Sequence, residues 1–195
     1  MRFSLSRTVC CLLLLTVPAY ADCAAEIRSV VQKAMDSGPY TAVTLSKTGN
    51  VTMGITTNIG AAGEMHSWAN DGGSMNELIV LDGRAWTKVM GQWQEISPGV
   101  ARGLRKTVVR DRMAFLEGME HPLCSGETVI KDQIFLSYSF TYAQEGANSA
   151  STLLVDPHTG MLSQMLTRTL AGGETTRSVT TFSFGATFEI EAPTE

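Results

Sequence analysis

Residues 75–96 read Met-Asn-Glu-Leu-Ile-Val-Leu-Asp-Gly-Arg-Ala-Trp-Thr-Lys-Val-Met-Gly-Gln-Trp-Gln-Glu-Ile. Three strand-forming runs, Met75 to Leu81, Arg84 to Val89 and Gln92 to Ile96, are separated by the dipeptides Asp82-Gly83 and Met90-Gly91. A two-residue connection leaves no room for a crossover helix, and Asp-Gly tolerates the positive φ that a tight hairpin requires. The stretch is therefore a meander of three antiparallel strands.

The same period of two extends in both directions. Upstream, Val51, Met53, Ile55 and Ile59 alternate with Thr52, Gly54, Thr56 and Asn58, and a turn is expected at Asn70-Asp71-Gly72-Gly73. Downstream, Ile134, Leu136, Tyr138, Phe140 and Tyr142 alternate with Phe135, Ser137, Ser139, Thr141 and Ala143. Ser151 to Asp156 and Met161 to Leu170 flank the turn Pro157-His158-Thr159-Gly160, and Phe182, Phe184, Phe188 and Ile190 mark a last strand.

Two segments carry helical period instead. From Asp22 to Asp36, Cys23, Ile27, Val30, Val31, Ala34 and Met35 form one apolar stripe, stopped by Gly38-Pro39. From Pro98 to Met119, the stripe is Leu104, Val108, Phe115, Leu116 and Met119; His121-Pro122 ends it, with Cys124 expected in the loop beyond. The expected class is α+β: a single strongly curved antiparallel sheet whose open apolar face is covered by two main helices.

The first 21 residues read as a secretory signal peptide. Arg2 and Arg7 precede the apolar run Val9 to Val17, Pro18 breaks it, and Ala19-Tyr20-Ala21 offers a small-x-small cleavage site. The run is shorter than the roughly 20 residues a membrane span needs. The expected organisation is thus a leader, 1–21, and one domain, 22–195, secreted to the periplasm. Removing the leader takes away two basic residues and no acid, leaving 13 Lys+Arg against 19 Asp+Glu, a formal charge of −6. That balance argues against nucleic acid as a partner, and a 44% hydrophobic content excludes a disordered chain.

Cys10 and Cys11 lie in the leader, so two cysteines remain. An even pair in an oxidising compartment points to a Cys23–Cys124 disulfide, closing a loop of about 100 residues and stabilising by roughly 4–5 kcal/mol. No C-x-x-C suggests redox chemistry.

Catalytic motifs are missing. The chain has no G-x-S-x-G, no H-E-x-x-H and no phosphate-binding Gly loop, and His66, His121 and His158 fall in different elements. No cofactor or metal is expected: Met65-His66 and Met119-x-His121 offer soft ligands that suit copper, but the methionines are scattered and read better as pliable apolar filling. Asn50-Val51-Thr52 is a glycosylation sequon relevant only to a eukaryotic host. Two non-enzymatic readings follow. A Met- and Phe-rich concavity with few inward polar groups suits a lipid or other hydrophobic ligand, with Met53, Ile55, Tyr138, Phe140, Phe182 and Phe184 as candidate lining. Alternatively, the basic face formed by Arg102, Arg105, Lys106, Arg110 and Arg112 docks an envelope protein or an anionic membrane surface, around a filled core.

The order of motifs resembles a known family. Leu78 to Gln94 is similar to the strand–turn–strand "apolar, D/G, aromatic, x, K, x, x, G, x, W" of the periplasmic lipoprotein-carrier-like (LolA-like) proteins. Leu153-Leu-Val-Asp-Pro-His-Thr-Gly-Met161 resembles their hairpin before a long strand. The resemblance implies an unclosed β-barrel with helices plugging its open side, and carriage of lipid moieties, acylated proteins or other hydrophobic ligands through the periplasm.

Overall fold

The computed structural model describes the backbone of residues 20–70, 75–144 and 146–194, and their side chains apart from 20, 21, 70, 75, 76, 105–114 and 144. Residues 1–19, most of the expected leader, lie outside the described residues, as do most of the turn expected at 70–73. Chain order is α1 (Tyr20–Asp36), β1 (Tyr40–Thr48), β2 (Val51–Ile59), β3 (Met65–Asn70), β4 (Met75–Leu81), β5 (Arg84–Val89), β6 (Gln92–Glu95), α2 (Pro98–Glu117), β7 (Glu120–Ile130), β8 (Gln133–Gln144), β9 (Ala147–Val155), β10 (Leu162–Ala171) and β11 (Glu174–Phe184).

The eleven strands make one sheet in the order β6-β5-β4-β3-β2-β1-β11-β10-β9-β8-β7, with every neighbour antiparallel. The meander at 75–96 forms as expected. Asp82 and Gly83 have φ of 50° and 78°, and Met90 and Gly91 have 49° and 81°, the left-handed pair that a two-residue hairpin demands. The sheet does not close, because its edges are β6 and β7. Those two strands are joined by α2, so the helix must travel from one edge of the sheet to the other. Its N-terminal half packs Ala101 and Leu104 with Met65, Val80 and Ala85, while Leu116 and Phe115 join the core of β8–β10 at the other end.

Helix α1 lies over the second half of the sheet. Its stripe, Cys23, Ile27, Val31 and Ala34, is buried against Tyr138, Phe140, Leu153, Val155 and Leu162. The Cys23–Cys124 disulfide forms, with a Cα–Cα separation of 5.6 Å, and fastens the first turn of α1 to β7. Near the other end, Lys33 Nζ donates to the carbonyl of Thr159 at 2.7 Å, fastening the helix to the β9–β10 turn.

Two expectations are corrected. Cys124 sits within strand β7 rather than in a loop. The strand is hidden in sequence because it shifts register twice, between Glu120 and Leu123 and between Cys124 and Gly126, so no period of two survives. Pro122 and Gly126 are tolerated there because β7 is an edge. The last strand ends at Phe184, leaving Phe188 and Ile190 outside it.

Candidate functional site

Register determines what faces the helices. Tyr40, Ala42, Thr44, Ser46 and Thr48 of β1 pair across to Phe184, Phe182, Thr180, Ser178 and Thr176 of β11, and Thr180 and Ser178 pair on to Met165 and Thr167 of β10. Residues directly opposite in an antiparallel pair share a face, so these side chains all lie on the concave side.

At one end of this face the side chains enclose a cleft of about 390 Å³. Val31, Ala34 and Met35 of α1 and Phe115 of α2 form its outer wall; Tyr40, Leu153, Leu162, Met165, Phe182 and Phe184 form the sheet side, with Tyr142 beside them. Thr44 and Thr180 complete the lining, and among the described residues no Asp, Glu, Lys, Arg or His contributes to it. The aromatic rings are mutually braced: Tyr40 lies 5.5 Å from Phe184 and 6.2 Å from Phe182, and Phe115 lies 5.9 Å from Tyr142 and stacks on Phe140 at 5.6 Å. A wall of this kind takes an apolar guest and offers no charge to a polar one.

Beyond the cleft the concave face is not apolar, contrary to the expectation of few inward polar groups. Two rows of hydroxyls cross four adjacent strands: Ser46, Ser178, Thr167 and Ser151, then Thr48, Thr176, Thr169 and Ser149. Many bond in cross-strand pairs, Thr48–Thr176 at 2.6 Å, Ser149–Thr169 and Ser151–Thr167 at 2.9 Å, with Thr44–Thr180 at 2.8 Å next to the cleft. Pairing satisfies the hydroxyls without an apolar cover. The alternation in β1 and β11 hides this, because Val43, Leu45 and Val179 occupy the other phase and face outward, exposed.

Of the residues expected to line a concavity, Phe182 and Phe184 do so. Tyr138 and Phe140 are buried in the adjoining core under α1 and α2; burial, and secondly the Glu26 carboxylate, raise the Tyr138 phenol above its ordinary value. Ile55 and Met53 share the concave face, opposite Thr44 and Ser46, but lie outside the cleft lining, and Met53 is exposed. Arg102 is exposed on α2, whereas the side chains of Arg105, Lys106, Arg110 and Arg112 lie outside the described residues. Sequence reasoning placed Val31, Ala34, Met35 and Phe115 on helical stripes without assigning them to a site, and missed Tyr40, Leu162 and Met165, which carry no local signal beyond their strand phase.

The histidines do not converge. His66 is on the convex side, 3.3 Å from Glu77, which also accepts from Lys88 at 2.7 Å; adjacent Met65 points to the concave core. Among the described residues no three His, Cys, Asp or Glu side chains are grouped to hold a metal ion. None of the described helices is long and apolar enough to cross a membrane.

The same architecture occurs in solved structures. The lipoprotein LppX of Mycobacterium tuberculosis matches over 88% of this chain and 99% of its own, with a TM-score of 0.64 at 12% identity. LprF of Mycobacterium bovis matches over 90% and 98%, with a TM-score of 0.55 at 13% identity. The chain has a LolA-like fold. Its LolA-like features are the unclosed antiparallel sheet and the helices on the concave side. No family model and no curated protein matches the sequence.

Proposed function

We propose that this chain is a non-enzymatic carrier of a hydrophobic ligand in the bacterial periplasm, exported by a leader at 1–21 that is removed. The observation that carries the reading is the aromatic-walled cleft between α1, α2 and the concave sheet, with no charged side chain among its described lining residues. The LolA-like fold supports the binding role, and its occurrence in the lipoprotein LppX supports an envelope location.

The size of the cleft narrows the ligand. A methylene group fills about the volume of a water molecule, roughly 30 Å³, so 390 Å³ takes about a dozen methylenes, one medium acyl chain or a compact apolar molecule. The Thr44–Thr180 hydroxyl pair in its lining is the hydrogen-bonding group this reading offers to the polar end of an amphiphile.

Native mass spectrometry of the protein from its own periplasm, with organic extraction of any adduct, tests the reading. A stoichiometric lipid or acyl species is expected. A bare protein mass together with no uptake of a fluorescent fatty acid would overturn it in favour of an envelope interaction protein.

A further inference from the structure

The convex face of the central strands carries three cations in a line. Lys47 of β1 pairs directly with Arg177 of β11, and Arg177 pairs with Arg168 of β10. Neighbouring strands lie about 4.8 Å apart, so three positive side chains leave the sheet within roughly 10 Å of one another. All three are exposed. The ion pairs among the described residues are His66–Glu77, Arg84–Glu95 and Lys88–Glu77, and none includes this row. The acid that shares the row, Glu120 of β7, is three strands away from Arg168.

Like charges directly opposite one another weaken a sheet, so the fold carries this row at a cost. Parallel to it, two residues along each strand, runs Leu45, Val179 and Leu166, with Leu45 57% and Val179 39% exposed. Val43, the next convex position on β1, is 40% exposed. Cations beside an apolar row with Leu45 and Val179 exposed and Leu166 half-buried, in a chain of net charge −4, are what an anionic lipid surface attracts: the basic row meets headgroups and the apolar row reaches the interface. Apart from the basic stretch 102–112 of α2, the remaining charge is predominantly acidic and disfavours other orientations of approach.

We infer that the Lys47–Arg177–Arg168 row and the Leu45–Val179–Leu166 row beside it form a docking face for an anionic phospholipid membrane. The surface is convex, which suits a soft sheet of lipid; a folded acidic partner would need a concave surface shaped to it. The docking face is on the opposite side of the sheet from the cleft, so it stands whether or not the cleft holds cargo.

Sedimentation with vesicles of phosphatidylglycerol and phosphatidylethanolamine tests this, against neutral phosphatidylcholine vesicles and across a salt series. Binding to the anionic vesicles, weakened by salt, is expected. The triple variant Lys47→Gln, Arg168→Gln, Arg177→Gln should lose about fivefold in partition per charge, roughly 100-fold in all. Its thermal midpoint should be equal or higher because the repulsion is relieved. A second variant neutralises Arg102, Arg105, Lys106, Arg110 and Arg112 on α2 and should bind nearly as well as the parent. No binding to anionic vesicles would overturn the inference. So would loss of binding in the α2 variant with none in the triple variant, or capture of an acidic protein through Arg177 without vesicle binding.

Discussion

The disulfide between α1 and β7 gives a prediction whose size can be worked out. Replacing both partners, Cys23→Ala with Cys124→Ala, opens a loop of sequence separation 101. In the chain-entropy treatment this frees the unfolded ensemble by about 4.7 kcal/mol. For a domain of this length, with a urea dependence of roughly 2–3 kcal/mol per molar, the unfolding midpoint should fall by about 2 M. The competing question is whether α1 stays docked. Ile27 is fully buried and Val31 is 3% exposed; burying side chains of these types contributes roughly 1.5–3 kcal/mol each, an upper figure since the unfolded chain already hides some area. The stripe stabilises the folded state by about as much as the tether restrains the unfolded one. The variant should therefore keep its helix, its circular dichroism and its uptake of a fluorescent fatty acid while losing midpoint. A shift under about 0.5 M would refute the loop argument. Lost uptake with an intact sheet signal would refute the docking argument, showing that the tether itself holds α1 over the cleft.

Three further outcomes are expected. Ile27→Ala leaves a void at the centre of the core under α1 and should cost about 2–5 kcal/mol in urea unfolding. Met165→Glu puts a carboxylate into a cleft with no charged side chain among its described lining residues and should abolish probe uptake while the far-ultraviolet dichroism is retained; uptake within twofold of the parent would place the ligand elsewhere. Glu77 is held below its ordinary value of 4.5, chiefly by the hydrogen bond from Lys88 and also by His66, against an opposing effect of burial. Its folded pKa is depressed, so its contribution is present above about pH 4.5 and fades as pH falls through the lower folded value. Glu77→Gln should lower stability at pH 7 by under about 1 kcal/mol and flatten the acid limb of the thermal midpoint between pH 6 and 3.

Much of the architecture was legible from local patterns. Asp82-Gly83 and Met90-Gly91 announce their hairpins because positive φ is a property of the residues themselves, and the α1 stripe buries as its spacing requires. Strand β7 was not legible, since its bulges break the alternation that would reveal it. The cleft was legible only at Phe182 and Phe184. Period two states that alternate residues share a face, but in β1 both phases hold apolar residues, Tyr40 and Ala42 in one and Val43 and Leu45 in the other, and hydrophobicity cannot choose between them.

The sequence by itself determined the antiparallel class, the two helices, the cysteine pair and the hairpins, because each depends on residues close in the chain or on composition. Only the tertiary structure decided which phase of each strand turns inward, and so which rings wall the cleft and which hydroxyls lie beside it. It also brought Lys47, Arg168 and Arg177 into one row across three strands. These outcomes depend on register between segments more than a hundred residues apart, set when the whole sheet pairs and its helices seat.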